Sequence, residues 1–153
     1  EKNIKVNLRK FFYLASGSYE GARSVETLSE KKDLLSDIED PLSLGTWCSE
    51  DDLDFYTKEF ERSGFRGPLN YYRNHNLTWE LTAGAPQEIQ QPAMFAAGDR
   101  DGVIALARDA LEKMPRFVKD LRANKLIPGI GHWTQQEAPE EVNRILLNFL
   151  ASL

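Results

Sequence analysis

The chain has 153 residues, 41% of them apolar and 28% charged, the balance of a globular protein large enough for a core of its own. Its formal net charge of -5 argues against a nucleic-acid partner, because such binding is driven by Lys and Arg neutralising phosphates. No apolar run approaches the roughly 18 residues of a membrane span, no signal-peptide pattern opens the chain, and the lone Cys48 rules out an internal disulfide, so a cytoplasmic protein is expected.

The sequence starts on Glu1 rather than Met, inside an apolar, helix-like stretch, which suggests a fragment or a processed chain. Ile4, Leu8, Phe11, Phe12 and Leu14 recur at helical spacing over residues 3–15, and the Gly- and Ser-rich segment Ser16–Ser24 ends that helix. Residues 25–48 read as irregular, anchored by Leu34, Leu35, Ile38, Leu42 and Leu44 and interrupted by Pro41 and Gly45. Ser49 then caps a helix, with Asp52 three residues on as a capping-box partner. Glu50, Asp51 and Asp52 suit the positive end of its dipole, Leu53, Tyr56 and Phe60 share a face, and Gly64 stops it. Leu69–Leu81 reads as a second helix, entered at Pro68, and residues 83–92 as a loop.

The character changes after residue 90. Ala93–Ala97 is a short apolar run ended by Gly98-Asp99-Arg100-Asp101-Gly102, which reads as a buried parallel strand and a turn. Ile104–Met114 is helical in pattern, and residues 125–130 resemble a second strand leading to Gly131 and His132. Pro139 opens a final helix at its first turn, with Val142, Ile145, Leu146, Phe149 and Leu150 as its buried stripe. Residues 1–90 are thus mainly helical, and residues 91–153 run strand, helix, strand, helix, the unit of a parallel α/β sheet. Two strands are too few for such a sheet, so further strands are expected from elsewhere.

Open α/β sheets carry their reactive groups just past the carboxyl ends of the strands. Asp99 and Asp101 follow the first strand here and His132 follows the second. A carboxylate on one imidazole nitrogen fixes the tautomer, leaving the other nitrogen free to take a proton from water. Asp99 is the natural turn-former and Asp101 the natural orienter, although placement alone leaves either available. Gly131 is expected to let the backbone turn tightly and bring the imidazole out over the sheet edge. In α/β-hydrolases the order along the chain is nucleophile, acid, base. The sequence holds no Gly-x-Ser-x-Gly elbow, so the nucleophile is expected before residue 1. No Cys/His cluster has metal-ligand spacing, and no metal or cofactor is expected.

Three segments together resemble the soluble epoxide hydrolases. Ser63-Gly64-Phe65-Arg66-Gly67-Pro68-Leu69-Asn70-Tyr71-Tyr72-Arg73-Asn74 is similar to their cap motif, Ala97-Gly98-Asp99-Arg100-Asp101 to their acid-bearing turn, and Gly131-His132-Trp133-Thr134-Gln135 to their base motif. The resemblance implies an α/β-hydrolase fold, with a helical cap region over residues 1–90 and the C-terminal part of the core over residues 91–153. It implies attack of an upstream Asp on an epoxide, a covalent ester, and its hydrolysis by water that His132 and Asp101 activate. Tyr72 matches a cap tyrosine that hydrogen-bonds the epoxide oxygen, while Tyr71 stands where the family usually has Trp. Adjacent helical side chains diverge by about 100°, so Tyr71 is assigned to the pocket wall, with Val103 and Trp133 near it by adjacency. The implied partners are a small epoxide, water and the N-terminal half of the core. A dehalogenase-type capped hydrolase, which shares the His–Asp pair but not the cap tyrosine, and a non-catalytic helical fragment are the alternatives.

Overall fold

The computed structural model describes residues 3–21 and 35–153, so the irregular reading of residues 25–34, Leu34 included, lies outside the described residues. Helix α1 (Ile4–Ala15) starts on Asn3, whose side chain accepts from the Val6 N–H, and buries Leu8. Helix α2 (Glu50–Ser63) lies against it. Lys5 of α1 pairs with Glu50 at 2.9 Å, and Arg9 grips Asp40 through two hydrogen bonds of 2.7 Å each. The Ser49–Asp52 capping box is formed in both directions and Gly64 closes the helix, as the sequence indicates. Leu53 and Thr57 are the buried residues of α2. Tyr56, expected to face the core, is exposed along one side, although its ring meets Phe12 edge-on at 5.3 Å. Leu44 is buried as expected, whereas Leu42, also expected as an anchor, is fully exposed.

The single helix expected over Leu69–Leu81 is two: α3 (Arg66–Arg73) and α4 (His75–Thr82). Asn74 breaks the pair at φ −88°, ψ 4°, consistent with a side chain that competes for backbone hydrogen bonds inside helices. Pro68 sits in the first turn of α3, where a missing N–H costs nothing. Neither helix buries a residue; Leu69, Leu77, Trp79 and Leu81 all stand exposed.

Strand β1 (Ile89–Gly98) pairs in parallel with β2 (Val118–Ile127), the two-stranded sheet of the described residues. The expected Ala93–Ala97 strand lies inside β1, which begins four residues earlier and takes in Pro92. Register irregularities fall on either side of that proline, the arrangement expected where a residue has no N–H to give the ladder. β2 starts well before the expected residue 125 and ends at Ile127. Its first half carries Lys119, Asp120 and Arg122, polar groups that hide the strand from an apolar pattern. Between the strands, α5 (Gly102–Leu106) and α6 (Arg108–Phe117) replace the one expected helix; the break at Ala107 has no local sequence signal. The short α7 (Thr134–Glu137) precedes α8 (Pro139–Leu150), which opens on Pro139 as expected. Ile145 of the expected stripe is buried and Val142 and Phe149 are half-buried, but Leu146 and Leu150 are exposed.

Buried apolar side chains come from the helical half, at Leu8, Leu44, Cys48 and Leu53, and from the sheet and its last helix, at Ala97, Val118, Ile127 and Ile145. The two halves meet through aromatic rings: Trp133 lies 5.0 Å from Phe12 and 6.0 Å from Phe11.

Candidate active site

Both strands deliver their chains to the same end of the sheet, Gly98 opposite Ile127. The two loops that follow are laced together. The Asp99 N–H donates to the Ile127 carbonyl at 3.1 Å, Arg100 N–H to Ile130 at 2.9 Å, and Gly129 N–H to the Asp99 carboxylate at 2.8 Å. Asp99 is therefore a strut between the loops as well as a turn residue. Gly98 has no room for a side chain: a Cβ there would overlap the backbone of Ile130 and Gly131.

Asp101 uses both oxygens. Oδ1 accepts from the Val103 N–H at 2.9 Å and so caps α5, while Oδ2 lies 2.9 Å from His132 Nδ1. Asp101, not Asp99, is the carboxylate that reaches the imidazole. The Asp101 side chain is 11% exposed and that of His132 49% exposed. Among the described residues nothing hydrogen-bonds Nε2. A carboxylate on Nδ1 and an open Nε2 suit a ring that accepts a proton from water.

The loop that carries His132 is also fixed to α1. The His132 N–H donates to the Ala15 carbonyl at 2.8 Å, and the Trp133 indole N–H donates to the Phe12 carbonyl at 2.8 Å. Gly131 was expected to serve a tight turn, yet its φ is not in the left-handed region. Its physical role is close approach, because a Cβ would overlap the backbone of Ala15, Ser16 and Gly17. The positive φ in this loop belongs to Gly129, at 77°. Glu137, which belongs to none of the sequence motifs, holds this loop. Its Oε2 accepts from Gly17 N–H at 2.7 Å and Gly131 N–H at 3.1 Å, and its Oε1 from Trp133 N–H at 3.2 Å. Only its position five residues after His132 could have drawn notice.

The remaining sequence candidates are less closely gathered. Val103 gives its N–H to Asp101 and leaves its side chain exposed. Trp133 is half-buried, with its indole N–H committed to α1. Tyr71 and Tyr72 are 75% and 63% exposed, their rings edge to face at 5.5 Å, and Tyr72 lies 5.9 Å from His75. No hydrogen bond or ring contact joins Tyr72 to His132 among the described residues. Cys48 is no rival nucleophile: burial, with Asp52 and Glu50 nearby, pushes its thiol up, away from the thiolate. No group of His, Cys, Asp or Glu among the described residues could hold a metal ion.

No protein-family model matches the chain. It is 43% identical over 114 residues to epoxide hydrolase B of Mycobacterium tuberculosis, covering 74% of this chain and 32% of that protein. Against bifunctional epoxide hydrolase 2 of Mus musculus it is 32% identical over 151 residues, 98% of this chain and 26% of the relative. In three dimensions it superposes on an epoxide hydrolase from an endophytic Streptomyces with a TM-score of 0.89 at 36% identity, covering 98% of this chain and 46% of the other. The chain therefore spans about a third or less of these two curated relatives and just under half of that solved structure.

Proposed function

The chain belongs to the epoxide hydrolases of the α/β-hydrolase fold, and on that premise we propose that the polypeptide containing it opens epoxides to vicinal diols. The observation that carries the proposal is the 2.9 Å pairing of Asp101 Oδ2 with His132 Nδ1 on a half-exposed ring whose Nε2 is hydrogen-bonded by no described residue. In the proposed reaction a carboxylate supplied by a segment outside these 153 residues attacks one epoxide carbon. The C–O bond of the ring breaks, leaving an alkoxide and an ester. Tyr72 donates its phenol hydrogen to the developing alkoxide, a task a phenol can serve because it is protonated in the ground state. His132 then takes a proton from water as that water attacks the ester carbonyl. Asp101 holds the Nδ1–H tautomer and stabilises the imidazolium that forms. Collapse of the tetrahedral intermediate breaks the ester C–O bond; the leaving oxygen takes the proton from the His132 imidazolium, the proton left on the carboxyl returns to the Tyr72 phenolate, and the diol departs with the carboxylate and both residues restored.

In this reading residues 1–90 form the lid and residues 91–153 the last strands and helices of the core. The exposed apolar faces of α3 and α4 support a further part of the polypeptide as their cover, since patches of this kind mark surfaces that meet a partner. Tyr71 lines the pocket, and Val103 and Trp133 lie at its rim. No described helix is long and apolar enough to cross a membrane. A cytoplasmic location belongs to the same proposal, supported by the use of a single, unpaired cysteine.

The test uses the full polypeptide. It should convert an aryl or alkyl epoxide to its diol, His132→Gln should trap the ester, and Tyr72→Phe should slow ring opening. Halide release from a chlorinated substrate, with epoxides inert, would replace this reading with the dehalogenase one. Full turnover after His132→Gln would end it.

A further inference from the structure

We propose that Glu137 is a positioning residue for the base, one whose carboxylate clamps the peptide on both sides of His132 to the end of α1; the inference rests on the role assigned to His132 above. Three N–H groups converge on one side chain. Two of them, from Gly131 and Trp133, are the immediate neighbours of His132 in the chain. The third, from Gly17, comes from just beyond α1, 120 residues away in sequence. A carboxylate is the one side chain with enough lone pairs on two oxygens to take all three, and bonds to a charged acceptor are stronger than neutral ones.

The imidazole meets the Trp133 indole edge to face at 5.2 Å, and the Trp133 backbone is itself held by Glu137. Among the described residues the imidazole ring makes one hydrogen bond, to Asp101, and the side chain is half exposed. The direction of that ring therefore depends on the backbone beneath it. The backbone at residue 132 is fixed by its own N–H on Ala15 and by the two flanking bonds to Glu137. Loss of the clamp leaves each flanking peptide held on its carbonyl side alone, Ile130 O by the Arg100 N–H and His132 O by the Thr134 hydroxyl. It also loosens Gly17 from the loop and so weakens the register between α1 and the base. Glu137 touches no reacting atom; it acts through the position of His132.

Glu137→Gln is the informative variant because it keeps size and shape. The amide has one oxygen, so it cannot accept on the Gly17–Gly131 side and on the Trp133 side together. In either orientation its NH2 faces an N–H. The step that uses His132 is ester hydrolysis, while ester formation does not draw on the imidazole. In the full-length enzyme, mixed rapidly with excess epoxide and quenched for mass spectrometry, Glu137→Gln should form ester at the parent rate. Ester decay should slow about 10- to 100-fold, the scale expected for a catalytic group displaced by around an ångström. Glu137→Ala should slow decay further. Decay is followed only in molecules that have formed the ester, so unfolded protein does not enter the measurement. Parent-like decay in both variants overturns the proposal, as does a variant that forms no ester or slows both steps alike, because Glu137 would then serve the fold at large. His132→Gln run alongside separates the two claims. If it traps ester while Glu137→Gln does not slow decay, the clamp alone is wrong. If it does not trap ester, the role of His132 is wrong.

Discussion

The two oxygens of Asp101 do different work, and a pair of substitutions can separate them. Oδ1 caps α5 through the Val103 N–H and Oδ2 holds His132 Nδ1, each at 2.9 Å. In Asp101→Asn the single amide oxygen can serve only one of these. If it keeps the cap, its NH2 donates to Nδ1 and moves the imidazole proton to Nε2, where proton abstraction is needed. If it turns to Nδ1, the NH2 meets the Val103 N–H and the cap is lost. The cap is worth about 1 kcal/mol. A wrong tautomer in a comparable triad costs about 10⁴ in rate, which is about 5.5 kcal/mol of barrier. With the cap kept, every group is paired, whereas the flipped amide sets its NH2 against the Val103 N–H and leaves both donors unsatisfied, so retaining the cap while losing the tautomer is the expected outcome. In the full-length enzyme, Asp101→Asn should melt close to the parent and hydrolyse its ester about 10⁴ times more slowly. Asp101→Ala should show the same kinetic defect and an added loss of about 1 kcal/mol in urea melts. Diol release by Asp101→Asn within about tenfold of the parent would refute the assignment of Asp101 as orienter, since about 1.4 kcal/mol is too little for a lost tautomer.

Three further outcomes are expected. Gly131→Ala should destabilise the full-length protein by about 3 kcal/mol in urea melts, because its Cβ meets the backbone of Ala15–Gly17 and overpacking against fixed backbone is costly; a neutral effect would mean that the loop and α1 are not held together. Trp133→Phe removes the donor to Phe12 O and shrinks the ring that meets Phe11 and Phe12, so a loss of at least about 1 kcal/mol is expected by the same measurement. The Arg9 guanidinium beside Asp40 holds that carboxyl below its ordinary value, so the pair adds stability at neutral pH that fades as acid protonates Asp40. Arg9→Gln should therefore cost under about 1 kcal/mol at neutral pH, with the difference shrinking near about pH 3; an equal difference at both would show that the pair contributes by packing rather than charge.

The signals that survived from sequence to structure are those set by local chemistry. Ser49 and Asp52 announce α2 because a capping box needs only four residues, and Pro139 announces α8 for the same reason. Asp101 and His132 were legible because each follows an apolar strand end, and parallel strands bring such ends together. The losses have equally physical causes. The first half of β2 is rich in charge, so no alternation marked it. The breaks at Asn74 and Ala107 lie inside patterns whose apolar spacing carries across them. Glu137 was invisible because its three partners are backbone groups, one of them distant in sequence, and nothing in the side-chain pattern encodes where an N–H will point. Gly131 was noticed for the wrong reason: its small size serves a neighbour, not its own dihedrals.

At the seam where Gly98 abuts Ile130 and Gly131, and Gly131 abuts Ala15–Gly17, main chain lies directly on main chain. Side chains in a core can be exchanged for others of like volume, and an ill-fitting partner can be accommodated by altering its neighbour. A main-chain seam offers no such freedom, because the surfaces in contact are the same whatever sequence surrounds them. Variants selected for new substrates should therefore accumulate changes along the exposed helices and leave these glycines alone. Engineering that aims to shift the base would have to move α1 as a body, not trim a side chain beside it.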